Sequence, residues 1–168
     1  NNPWSYLNIF SHKIYNLLTM RAVVQRVISA RVMMGGRRVA AIKSGLLVFV
    51  GVARDDNETD LAYLANKIVG LRLFGGAKGR FDRSVGEVEG AILLVSQFTL
   101  YGDCRRGRRP SFDEAAQAIK AELMYEALIR ALRDHEVEVQ TGQFQADMII
   151  ESANDGPVTI LLDSKRVF

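Results

Sequence analysis

The sequence predicts a single mixed α/β domain, on three observations. At 168 residues the chain has the length of one domain. Its composition, 48% hydrophobic and 24% charged, supplies both a core and a solvated surface. The apolar pattern also switches between strand alternation and helical periodicity, in the order β-β-β-α-β-α-β-β-β rather than as a regular βαβ series.

Residues 1–19, NNPWSYLNIFSHKIYNLLT, carry no acidic residue and one lysine, Lys13. They are read as an added or upstream-translated tail ahead of Met20, with the domain spanning 20–168. A mitochondrial targeting segment would be rich in arginine, and this one is not. RAVVQRVISARV (21–32) alternates like a strand, with Ala22, Val24, Ile28, Ala30 and Val32 on one parity and Arg26 among them. MMGGRRVAAI reads as a hairpin turning at Gly35-Gly36. GLLVFVGVA (45–53) is continuously apolar, as in a strand buried on both faces.

Asn57 is a candidate N-cap for a helix with Leu61, Leu64, Ala65, Ile68 and Leu71 on one face. GGAKGRFDRSVGEVEG is a loop or irregular hairpin; it lacks the GK[ST] of a phosphate loop. AILLVSQFTL (91–100) is another buried strand, and YGDCRRGRRP a basic loop. SFDE at 111–114 fits a capping box. It predicts a helix with Ala115, Ile119, Leu123 and Ala127 on one stripe and Met124, Leu128 and Leu132 beside it. VEVQTG, DMIIES and VTILLD read as three short strands. Gly156-Pro157 interrupts the last two, since glycine weakens a strand and proline removes a ladder donor.

The bulk numbers exclude several function classes. No apolar run approaches the roughly 20 residues of a membrane helix. The net charge of +3 permits a nucleic-acid partner without demanding one. A lone cysteine, Cys104, allows no intrachain disulfide and no Cys-based zinc cluster, and fits a reducing compartment. Of the two histidines, His12 lies in the tail and His135 at the polar end of a helix. A Ser-His-Asp or Cys-His machine is therefore poorly supported.

Four stretches could carry chemistry. Ser96, Gln97 and Thr99 put polar side chains at the end of an apolar strand, where open α/β sheets place their sites; a strand end satisfying its own backbone reads the same way. Arg26, on an apolar parity, must snorkel, pair or meet main-chain carbonyls, or else point to water from a sheet edge. Arg105, Arg106, Arg108 and Arg109, with no acid read nearby, suit phosphate contact, although a solvated loop would look alike. Gly156-Pro157 joins a freely turning residue to the one bond type where a cis peptide is cheap; an ordinary trans turn is the other reading.

SQFTL, then NDGPVT about 55 residues later, with QRV near the start and RPSF between, resembles the D-aminoacyl-tRNA deacylase family. The resemblance covers Met20 to Asp163; the N-terminal extension and the SKRVF tail depart from it. It implies a three-layer α/β/β fold, barrel-like in the dimer, and an obligate homodimer. It implies hydrolysis of the ester joining a D-amino acid to the 3′ end of tRNA, in the cytoplasm. By resemblance Ser96, Gln97, Phe98 and Thr99 form the catalytic strand end. Gly156 and Pro157 are the family's Gly-cisPro motif, which excludes L-substrates from the partner subunit's pocket. Arg26 supports that motif and Met148 lines the pocket.

With no usable histidine in sequence, two schemes stand. Thr99 is a nucleophile, or water attacks with help from the terminal 2′-hydroxyl; the missing base favours the second. No metal or other cofactor is expected. Glycine, which has no side chain, should also be released from its tRNA. A non-catalytic RNA-binding module is the rival reading. The basic loop fits it, but 8% aromatic residues supply no evident stacking platform. A ligand-binding dimerisation domain would explain the buried strands but neither SQFT nor Gly-Pro.

Overall fold

The computed structural model describes residues 19–75 and 81–166; the expectations placed on residues 1–18 lie outside them. Strand β1 (Arg21–Met34) turns at Gly35 and Gly36 into β2 (Arg37–Ile42). Both glycines have positive φ, +53° and +76°, as a two-residue primed hairpin requires. Next come β3 (Gly45–Gly51), helix α1 (Glu58–Gly70), a small ribbon of β4 (Phe74–Gly75) and β5 (Phe81–Arg83), and β6 (Ala91–Ser96). Helix α2 (Ala118–Arg133), β7 (Glu138–Thr141) and β8 (Ile149–Asp163) complete the domain.

The main sheet runs β2-β1-β3-β6-β7, with β8 on the other side of β1. β1 is long enough to serve three partners. Its first half pairs antiparallel with β3, its second half with β2, and β8 runs antiparallel along nearly all of it. β3, β6 and β7 are parallel. The alternate residues of β3 and β6 explain their unbroken apolar sequence. Leu46, Val48, Ile92 and Leu94 pack under Leu64, Ile68, Leu128 and Leu132 of the two helices. Leu47, Leu93 and Val95 face the other way, against Val27, Ala30, Val32, Ala40 and Ile42 of β1 and β2. Helices, central strands and the folded-over leaf of β1, β2 and β8 form three layers around a nearly closed, barrel-like sheet. At the start of α1, Asn57 accepts from the Thr59 N–H while Asp60 accepts from the Asn57 N–H, so the expected N-cap is a full capping box.

Four expectations are corrected. In β1 the buried set is Ala22, Val24, Val27, Ala30 and Val32, whereas Ile28 is 63% exposed. The pairing with β8 slips on both sides of Val27, so the inward parity shifts by one there. Strand β6 stops at Ser96, and Phe98–Tyr101 form a tight helical turn instead of more strand.

SFDE does not open a helix. The Ser111 hydroxyl donates to Asp113, and the Ser111 backbone pairs with Asp103. Ala115 bridges to Ala53 and the Ala116 N–H donates to Val52, which holds this backbone extended. The helix therefore begins at Ala118, capped by no side chain at Gln117. Its inward residues are Tyr125, Leu128 and Leu132, and Ile119 and Leu123 are 78% and 62% exposed.

Lastly, DMIIES and VTILLD belong to one strand. Gly156 and Pro157 do not end β8. Gln25 pairs with Thr159 and Val27 with Asn154, so Asp155, Gly156, Pro157 and Val158 loop out opposite the single residue Arg26.

Candidate active site

β6 carries Ser96 and Gln97 to the carboxyl end of the parallel strands. The Gln97 N–H makes the last rung, to Val50 (2.7 Å), and the chain then coils through Phe98–Tyr101. This close coil needs Gly51 beneath it. A Cβ there would lie 2.7 Å from the Tyr101 ring and 3.1 Å from the Gln97 carbonyl. Tyr101 is the peg of the turn. It is buried, with its hydroxyl 2.5 Å from the Thr19 carbonyl and 2.9 Å from that of Gly51. Burial pushes its pKa well above the ordinary tyrosine range, so it stays a neutral donor.

The strand end opens onto a cleft of about 680 Å³. Ser96, Gln97 and Phe98 form one wall, Ala115, Ala116, Ala118 and Ala121 a second, and Phe144 to Met148 with Ile150 a third. Met148 packs closely on Gly142, where a Cβ would come within 2.6 Å of its sulfur. Phe98 is 56% exposed and meets the Phe112 ring edge-on at 5.0 Å. The Gln97 amide donates to Thr99 Oγ1, so the group beside that hydroxyl is a donor, not a base. Phe98 and Thr99 contribute the first N–H groups of the helical turn, for which the turn itself provides no carbonyl.

Of the residues singled out in sequence, the fold brings Ser96, Gln97, Phe98 and Met148 to one cleft, with Thr99 beside it. Gly156, Pro157 and Arg26 do not line it. They meet elsewhere, on β8 and β1. The Gly156-Pro157 peptide bond is cis, and Gly156 has φ +124°. A Cβ on Gly156 would approach the Val158 side chain at 2.7 Å and Arg26 Nη2 at 3.1 Å. The Arg26 side chain, 13% exposed, has Nε 2.9 Å from the Asp155 carboxylate, donates through Nη1 to the Leu73 carbonyl, and stacks over the Phe81 ring at 5.1 Å. It is the half-buried arginine the sequence marked, held by carbonyl, carboxylate and ring together.

The basic loop is altered by a nearby acid that the sequence pattern did not bring out. Asp103 takes two hydrogen bonds from the Arg105 guanidinium, at 2.8 and 2.7 Å, and those bonds hold its carboxyl well below the usual range. Arg106, Arg108 and Arg109 are exposed and make no ion pair among the described residues. Sequence reasoning missed the alanine wall, Phe144 and Asp147. The small residues of DEAAQAIKA were the available signal; Ala118 and Ala121 do lie in α2, while Ala115 and Ala116 lie in the extended segment before it.

The family model for D-Tyr-tRNA(Tyr) deacylase matches residues 23–163. The chain belongs to this family. A D-aminoacyl-tRNA deacylase of Thermotoga petrophila is 54% identical over 149 residues, covering 89% of this chain and 100% of the relative. One of Sorangium cellulosum is 52% identical over 150 residues, again 89% and 100%. Among solved structures, one titled c-Myc DNA Unwinding Element Binding Protein superimposes with TM-score 0.80 at 38% identity, covering 84% of this chain and 97% of that one. A probable eukaryotic D-amino acid tRNA deacylase gives TM-score 0.75 over 86% and 99%; at 16% identity it shares the deacylase fold.

Proposed function

We propose that the chain hydrolyses the ester between a D-amino acid and the 3′ end of tRNA. The observation that carries this reading is the cleft at the end of β6, bounded by the SQFT turn, in a member of the deacylase family. An aminoacyl ester is already activated, so the site has mainly to position it and stabilise an oxyanion. The N–H groups of Phe98 and Thr99 suit the second task. Asp147, the one carboxylate on the cleft wall among the described residues, suits the substrate's α-ammonium. Thr99 sits against an amide donor and lacks a hydrogen-bonded histidine or carboxylate among the described residues. That favours attack by water aided by the 2′-hydroxyl of the terminal adenosine.

Chirality is read by Gly156-Pro157 of a second copy of the chain. Once amino and ester groups are held, D and L substrates exchange hydrogen and side chain. A main-chain wall facing the hydrogen of a D-residue collides with the side chain of an L-residue. It admits many D-side chains because it touches none of them, and by the same logic it admits glycine. Two features support a partner at this place. The looped segment lies outside its own cleft. Ile28 and Leu161 on the paired strands and Phe81 against Arg26 are 55–63% exposed. Such a substrate is found in the cytoplasm. No helix among the described residues is long and apolar enough to cross a membrane.

Incubation with D-aminoacyl-tRNA and its L-counterpart, following ester loss, tests the reading. Selective loss of the D-ester is expected, with glycyl-tRNA also cleaved. Binding of tRNA without cleavage would favour a nucleic-acid-binding module, the activity named for the 38% identical structural relative.

A further inference from the structure

The looped segment of β8 is closed at its base by one side chain. Asn154 Oδ1 accepts from the Val158 N–H at 2.8 Å. Its Nδ2 lies 3.2 Å from the Val158 carbonyl and 3.3 Å from Thr159 Oγ1, so the amide spans the four looped residues. Thr159 Oγ1 also accepts from Gln25 Nε2 at 3.2 Å, which fastens the closure to β1. At the first looped residue Arg26 holds Asp155. Gly156 and Pro157 are thus fixed between two anchors, only one of which, Arg26, was marked in sequence.

We propose that Asn154, with Thr159 and Gln25, is a positioning clasp for D/L discrimination. This rests on the reading of Gly156-Pro157 as a wall against L-substrates. The reasoning is mechanical. A wall that rejects a side chain by collision must not yield, and a four-residue bulge without ladder bonds of its own yields unless cross-tied. The Asn154 amide replaces the missing rungs with an acceptor for one N–H and a donor for one carbonyl. Only an amide offers both from one side chain of this length. An aspartate would keep the first bond and set an oxygen against the Val158 carbonyl, and an alanine would lose both.

The test compares D- and L-aminoacyl-tRNA deacylation by the full chain carrying Asn154→Ala, Asn154→Asp, Thr159→Val or Thr159→Ser. Hydrogen exchange at the Val158 amide is followed in parallel. The two Asn154 variants should lower the D-over-L ratio of kcat/KM about tenfold, a change of the size that lost hydrogen bonds produce. The ratio should fall through faster L-cleavage, with kcat for the D-substrate nearly unchanged and faster exchange at Val158. Thr159→Val should show the same pattern more weakly, and Thr159→Ser should restore the native ratio. Parallel loss of both activities, or faster exchange with an intact ratio, would overturn the clasp. A Pro157→Ala control separates this from the reading beneath it. If that variant loses selectivity while the Asn154 variants keep it, the clasp fails and the wall stands. If neither variant changes selectivity, both fail.

Discussion

Two stretches of main chain carry the proposed activity, and they are built in opposite ways. Ser96–Thr99 closes a parallel strand and lies against Tyr101 and Gly51, and its first three residues line a cleft of their own chain. Asp155–Val158 leaves its strand, lines no part of that cleft, and is held at its base by Arg26 and Asn154. The first has N–H groups and space for chemistry. The second offers main chain tied down by two side chains, and its one carboxylate, Asp155, is engaged by Arg26. On the proposed reading, catalysis and chirality fall to separate segments, which a second copy of the chain would bring together.

The largest expected effect lies in the looped segment. Gly156→Ala places a Cβ against Val158 and Arg26 at a φ that suits glycine. It should cost about 1–3 kcal/mol in denaturant unfolding and weaken rejection of L-aminoacyl-tRNA. Unchanged rejection in a folded variant would break the division drawn here.

Outside both segments, neutralising Arg106, Arg108 and Arg109 should weaken tRNA binding and flatten its salt dependence. For every tRNA phosphate that is no longer neutralised, the slope of log affinity against log salt should fall by about 0.7–0.9. Arg105 should add little, because Asp103 already engages it. An unchanged slope would mean that the loop is only solvated surface.

Thr99→Ala should leave turnover within about tenfold of the parent, a loss of the size expected for one hydrogen bond. A dead but folded and tRNA-binding variant would move Thr99 from neighbour to nucleophile.

The smallest effect is a control beneath the cleft. Asp56 is buried and accepts from the Ala53 N–H at 2.6 Å, where the chain pairs with Ala115 of the cleft wall. Burial above all, with nearby Asp60, pushes its pKa from 3.8 up to about 6. The folded state therefore binds the proton more tightly. Its contribution to stability is full below pH 3.8 and is lost as pH rises to about 6. Asp56→Asn should flatten that window in unfolding experiments and raise stability at neutral pH, with the D-over-L ratio unmoved.

How much of this was legible in sequence follows from the physics of each part. Strands β3 and β6 were visible because burial on both faces writes an unbroken apolar run. Helix α1 was visible because Asn57 caps it and its apolar face repeats. The start of α2 was not, because SFDE has the local chemistry of a cap while its backbone is claimed by Asp103 and Val52, which lie outside the local window. Gly156-Pro157 read as a break because the sequence cannot tell a strand end from a bulge whose rungs a side chain replaces. The cleft's strand-end wall could be named from SQFT, but its alanine wall could not, since small residues announce space only once the fold encloses it.

The most direct measurement is a structure of the protein with a non-hydrolysable D-aminoacyl adenosine in which an amide replaces the ester. The account predicts two copies of the chain. The ligand's carbonyl should lie against the Phe98 and Thr99 N–H groups of one copy, and its α-hydrogen against the Gly156-Pro157 backbone of the other. A ligand seated in the cleft with no Gly156-Pro157 of either copy near its α-carbon would contradict it.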